Sequence, residues 1–176
     1  FQAMPVPPAS SDELARLART QDMESVWIEH ESLAAGRPIR LHAVFAPNAD
    51  EQAPLMLFLH GARQNLGRSA FRIEQMRDLG FSVLAIDYRG FGASTDELPS
   101  EIGVIEDAAA AWHWLGERHP GKPRYLFGHS LGGAIAVQLA AALADAPAAE
   151  APTGVIVEGT FTSIPMLYPR DRPQVA

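Results

Sequence analysis

Ser130 stands between Gly128 and Gly132 in the stretch GHSLGG, where one apolar run ends and an alanine-rich run begins. A serine hydroxyl is a weak nucleophile at its ordinary pKa. It needs an exposed position, a base, and donors for the oxyanion that its attack creates. A sharp turn from strand to helix lifts a side chain above the edge of a sheet, and flanking glycines remove the crowding that such a turn creates. The helix that follows aims its free N–H groups and its positive dipole end at the reacting carbon. A second stretch, FLHGARQN (58–65), places His60-Gly61 after an earlier apolar run, where such sites take their other oxyanion donor. By itself His60-Gly61 reads as an ordinary strand-ending turn; two matching loops in this order favour the site. Ser130 is then the candidate nucleophile, with the backbone N–H groups of Ala62 and Leu131 as the oxyanion pair.

These residues need elements to hold them. SVWIEHESLAAGRPIRLHAVFAP reads as two strands joined by a turn at Ala35-Gly36-Arg37-Pro38, with apolar residues at period two on both sides. Four short apolar runs follow, at 55–61, 81–88, 124–130 and 154–160, and their lack of alternation suits strands covered on both faces. Between them lie helical patterns. One covers 68–80. Another covers 100–121, with Ile102, Ile105, Ala109 and Trp112 on one stripe, and a third, small and apolar almost all round, covers 131–147. Strand and helix in alternation predict an α/β fold, a mostly parallel doubly wound sheet with an antiparallel N-terminal hairpin. Right-handed crossovers then bring the loops that carry chemistry to one sheet edge. Residues 1–22 read as a proline-rich arm and a short helix capped by Ser10 or Ser11, ahead of one domain over 23–176.

Composition narrows the function. The chain has 176 residues, of which 47% are hydrophobic, enough for one sizeable core. A formal charge of −7 gives no basic footprint for nucleic acid, and no Lys/Arg block marks a membrane surface. Without cysteine there is no disulfide, no thiolate metal site and no cysteine nucleophile, while the compartment stays open between cytoplasm and export or anchoring by a segment before Phe1. No apolar run approaches the roughly 20 residues of a membrane span. The histidines lack metal-ligand spacing and no phosphate-binding loop is present, so no metal or cofactor is expected.

HGARQN, DYRGFGAS (87–94), GHSLGG and EGTFTSIPMLYP (158–169) together resemble the α/β-hydrolase superfamily, in the branch related to serine aminopeptidases and monoacylglycerol lipases. The resemblance runs from about residue 24 over nearly the whole chain. It implies an ester hydrolase acting through an acyl-enzyme on Ser130, with Ala62 and Leu131 as oxyanion donors and a small-molecule ester as substrate. It also implies that Asp87 and Arg89 are structural, that His60 supports the oxyanion loop, and that Phe161, near the entrance to a lid, lines the acyl pocket.

One departure stands out. Such enzymes order their triad as serine, acid, histidine, yet all six histidines of this chain (His30, His42, His60, His113, His119 and His129) precede Ser130. Asp145, Glu150 and Asp171 read as solvated loop charges. His129 should point away from its neighbour Ser130, and His30 and His42 should lie partly exposed on the hairpin. The expectation is an N-terminal two thirds of a hydrolase, inactive alone, whose reading frame continues for roughly 80 to 120 residues and supplies the acid and the histidine. The run at 154–158 is too apolar for an exposed edge, which points the same way. A peptidase or amidase with the same machinery, and a non-catalytic binding module, are the alternatives.

Overall fold

The computed structural model describes residues 22–62 and 64–159; the N-terminal arm and helix, Phe161 and Asp171 lie outside them. The hairpin comes first, as strands β1 (Glu24–Ser32) and β2 (Arg37–Ala46) paired antiparallel with Glu24 opposite Phe45 and Ser32 opposite Arg37. Gly36 closes its turn at φ 65°, in the left-handed region that glycine enters at no steric cost. Then come β3 (Leu55–Leu59), helix α1 (Leu66–Asp78), β4 (Ser82–Ile86), α2 (Glu101–Arg118), β5 (Arg124–His129), α3 (Leu131–Leu143), a short 3-10 turn at Ala148–Glu150, and β6 (Gly154–Glu158). Among the described residues the sheet order is β1-β2-β4-β3-β5-β6, with β4, β3, β5 and β6 parallel. The antiparallel β2–β4 pairing joins the hairpin to them. The predicted fold is the observed one.

Alternation within β3 shows how the sheet is covered. Leu55, Leu57 and Leu59 face α2 and α3, whereas Met56 and Phe58 face α1. All five are buried, and each contributes about 1.5–3 kcal/mol by leaving water. β4 is buried throughout in the same way. β6 differs from the other apolar runs: with one strand neighbour among the described residues, it leaves Val155 and Ile156 40% and Val157 47% exposed.

Three helical readings need correction. α1 begins at Leu66, two residues earlier than its pattern suggests, because the side chain of Asn65 accepts the Arg68 N–H as an N-cap. α3 is buried over 131–136, but Val137 is 40% exposed and Ala141 and Ala142 face solvent. Only its first two turns are buried on every side. In α2, capped by the Ser100 hydroxyl on Gly103 N–H, the inward stripe is Val104, Ala108, Ala111, Trp112 and Leu115. Ile102 points out, 67% exposed.

That orientation also carries a charge inward. Asp107 faces inward, fully buried, and receives the backbone N–H of Arg89 at 2.9 Å together with its guanidinium at 2.9–3.3 Å. Arg89, 1% exposed, also reaches Ser32 Oγ at 2.8 Å and Glu106 at 3.1 Å, and His30 Nε2 lies 2.8 Å from Asp107. Gly103 makes room for it, since a Cβ there would sit 2.9 Å from the guanidinium. Burial alone would raise the Glu106 carboxyl. Hydrogen bonds from Ser32, from the N–H groups of Ala34 and Leu33, and from Arg89 outweigh it and hold the pKa low. The network ties the hairpin turn, the loop after β4 and the start of α2 into one piece.

Two buried charges that satisfy each other add little net stability, but removing one strands the other. Arg89→Met should therefore cost about 3–5 kcal/mol in urea unfolding, and adding Asp107→Leu should recover part of that loss. A single variant as stable as the parent would show that the ion network does not hold this corner together.

Candidate active site

At Ser130 the chain passes from β5 into α3 with φ 56° and ψ −119°. Among the described residues only Asp22 shares a positive φ without being glycine. Such a conformation costs about 1–3 kcal/mol and persists only where its surroundings over-determine it. Those surroundings are visible at the glycines. A Cβ on Gly132 would lie 1.9 Å from the Leu59 carbonyl oxygen, and one on Gly128 would lie 2.2 Å from the Gly132 carbonyl oxygen. Neither overlap can relax by moving a side chain, because the obstacle in both cases is backbone. The first turn of α3 thus lies directly on the end of β3. Ser130 donates its N–H to Glu158 O at 2.9 Å and accepts the N–H groups of Gly133 and Ala134 at 3.0 and 3.4 Å. Its side chain does not cap the helix. Helix geometry leaves the Leu131 N–H outside the intrahelical ladder.

The loop after β3 closes over this turn. A Cβ on Gly61 would be 3.3 Å from Ser130 Cβ and 3.7 Å from Oγ, so the two predicted loops meet at the serine. Ala62 follows, partly buried against the core. Beneath them His60 is buried. Its Nδ1 donates to the Gly61 carbonyl at 2.8 Å, and its Nε2 lies 2.9 Å from Asp87 Oδ1. That carboxylate oxygen also accepts Leu66 N–H at 3.1 Å, and Tyr88 donates its hydroxyl to the His60 carbonyl at 2.8 Å. Burial, then repulsion by Asp87 and Asp107, push the Tyr88 phenol well above its usual range, so it stays a donor. His60, Asp87 and Tyr88 form a scaffold for the loop, in the supporting roles the resemblance implied for His60 and Asp87.

The other histidines are placed as follows. His42, expected partly exposed, is 3% exposed. It hydrogen-bonds Ser25 Oγ at 2.6 Å under the Trp27 ring, and burial pulls its pKa down. His113 lies 3.2 Å from Glu150, and His119 stacks on Phe45 at 4.9 Å. Asp145 is exposed beyond the C-terminus of α3. Among the described residues no three His, Cys, Asp or Glu side chains converge as a metal site would, and no helix is long and apolar enough to cross a membrane.

Sequence reasoning missed Glu158. It ends β6, beside the serine, and its carboxylate grips the Arg72 guanidinium with two hydrogen bonds, one of them 2.8 Å from Nη1 to Oε2. Oε1 lies 3.2 Å from His129 Nδ1, so the His129 side chain is turned toward Glu158. Arg72 is the main cause holding the Glu158 carboxyl below its ordinary range, and the guanidinium is raised in return. The signal available was a lone acid closing the otherwise apolar GVIVE.

Known proteins resemble this chain in sequence and in fold. Lysophosphatidylserine lipase ABHD12 of Danio rerio is 37% identical over 114 residues, which cover 63% of this chain and 29% of that protein. Protein ABHD12B of Homo sapiens is 37% identical over 113 residues, covering 63% and 30%. The chain thus spans less than a third of the length of these curated relatives. Among solved structures, an alpha-beta hydrolase from Vibrio vulnificus superposes with a TM-score of 0.66 at 25% identity, over 83% of this chain and 48% of that one. A soluble variant of monoglyceride lipase from Saccharomyces cerevisiae, in complex with a substrate analog, gives 0.62 at 16% identity, over 92% and 47%. Residues 50–175 match the family described as serine aminopeptidase, S33. That match covers more than half of the residues, and with the sheet order and the turn at Ser130 it places the chain in the serine aminopeptidase S33 family of α/β-hydrolases.

Proposed function

We propose that the full-length protein hydrolyses carboxylic esters through an acyl-enzyme on Ser130. The observation that carries this reading is the strained serine held under the Gly61 backbone, at the N-terminus of a helix. A fold has no stability reason to keep a non-glycine residue at φ 56° there. In the proposed reaction Ser130 Oγ attacks the ester carbonyl carbon, and its proton passes to a general base. The carbonyl electron pair moves onto oxygen, where the N–H groups of Ala62 and Leu131 stabilise the charge. Collapse expels the alcohol, protonated by the same base. Water then attacks the acyl-enzyme, releasing the acid and restoring the serine hydroxyl. We assign the base to a histidine outside these 176 residues, since His60 is committed to Gly61 and Asp87 while His129 is turned to Glu158. The greater length of the relatives supports that assignment. Phe161 is proposed to line the acyl pocket, and no cofactor enters.

The relatives that carry the word lipase support the ester reading. The family description supports a second, cleavage of an amide bond by the same groups. Rates on nitrophenyl esters against aminoacyl anilides separate the two.

Ser130→Ala should lower kcat by about 10³-fold or more and abolish fluorophosphonate labelling. Near-full activity in that variant would remove Ser130 from the mechanism. Ser130→Gly should be equally inactive yet more stable by about 1 kcal/mol in urea unfolding, because glycine relieves the positive φ. For the oxyanion loop, Ala62→Ser should be mild, whereas Ala62→Pro deletes the backbone donor and should cost about 10²-fold in kcat. Binding of a substrate analogue, measured in parallel, separates donor loss from loop distortion. Equal activity of the two Ala62 variants would place the donor elsewhere.

A further inference from the structure

The serine turn is braced on two sides. On one side lies the Gly61 loop; on the other, Glu158 takes the Ser130 N–H on its carbonyl at 2.9 Å. The same residue extends its carboxylate to Arg72 on α1, with Oε1 3.2 Å from Nδ1 of His129, the residue before the serine. α1 is itself anchored at its start, where Leu66 N–H meets Asp87, the carboxylate that also holds His60 and, through it, Gly61. A closed circuit results: Gly61 loop, α1, Arg72, Glu158, Ser130, and back to Gly61. The ion pair that closes it is partly solvated, with Arg72 29% and Glu158 45% exposed. Exposed pairs typically add only about 0–1 kcal/mol to folding stability, a bidentate one more than most. A two-point grip between planar groups does fix geometry, because both the distance and the angle are set.

We propose that Glu158, oriented by Arg72, is a positioning residue for Ser130, keeping the turn at the angle from which the hydroxyl attacks. This rests on the reading of Ser130 as nucleophile. Glu158→Gln keeps the carbonyl that receives the Ser130 N–H, while it removes the carboxylate charge and one of the two acceptors of Arg72, so it isolates the side chain. Arg72→Gln breaks the pair from the other end.

The test uses the full-length protein and these two variants, singly and combined. Three quantities are measured: kcat and KM on a short-chain nitrophenyl ester, the rate of fluorophosphonate labelling, and the melting temperature. Each single variant should lose about 10-fold or more in kcat and in labelling rate, the scale of a small misplacement of a reacting group. KM should stay within about twofold, since the substrate's own contacts are untouched. The double variant should be no slower than the worse single one, because the two residues act as a unit. Variants that keep kcat, whatever their KM or melting temperature, would make the pair a surface brace and overturn the proposal. Losses that multiply in the double variant would overturn it too. Absence of labelling at Ser130 in the unaltered protein would overturn the nucleophile reading and this proposal with it, whereas normal labelling with unimpaired variants would overturn this proposal alone.

Discussion

At Gly132 a methyl group would fall 1.9 Å from the carbonyl oxygen of Leu59, a distance no real contact allows. That near-touch between the start of α3 and the end of β3 governs the rest of the site. It requires β3 and β5 to be parallel neighbours ending level, as they do with Leu59 opposite Gly128. It also requires the chain to turn within one residue, which forces Ser130 to φ 56°. The cost of about 1–3 kcal/mol for that conformation is small beside the burial of β3, β4 and β5 on both faces of the sheet. The rigid centre tolerates a strained residue at its rim.

Polar groups under the rim convert that rigidity into loop geometry. Two buried clusters do this, Arg89 with Asp107, Glu106 and His30, and His60 with Asp87 and Tyr88. Each joins segments far apart in the chain, and each satisfies donors that a loop would otherwise leave facing apolar side chains. The loops at this edge are therefore extensions of the core, although few of their own residues are apolar.

The serine, its glycines, the hairpin and the central strands were legible because each is written in short-range terms: a run of apolar residues, a period of two, glycines at fixed offsets. Asp107 and Glu158 were not. Their roles come from partners 18 and 86 residues away, Arg89 and Arg72, and an isolated acid in sequence looks like any solvated charge. In α2 the stripe Val104, Ala108, Ala111, Trp112 and Leu115 outweighs the one that Ile102 suggested, and it carries Asp107 inward to Arg89. The pattern read over 68–80 began two residues late, because the Asn65 cap and the bond from Leu66 N–H to Asp87 place the helix start at Leu66. β6 resembled its neighbours in composition, and only the strand order distinguishes it.

Gly92 and Asp87 show what such tight assembly means over evolutionary time. With φ 50° at residue 92, a Cβ there would sit 2.0 Å from Asp87 Oδ2, a buried oxygen with no hydrogen-bond partner among the described residues. A side chain at position 92 would demand a shorter one at 87. Shortening Asp87 first would strip Leu66 N–H and His60 of their shared acceptor. Neither single step is level ground, so the two positions should change as one unit. A lineage leaves it only by exchanging both at once, or after a third change has given the Gly61 loop another anchor.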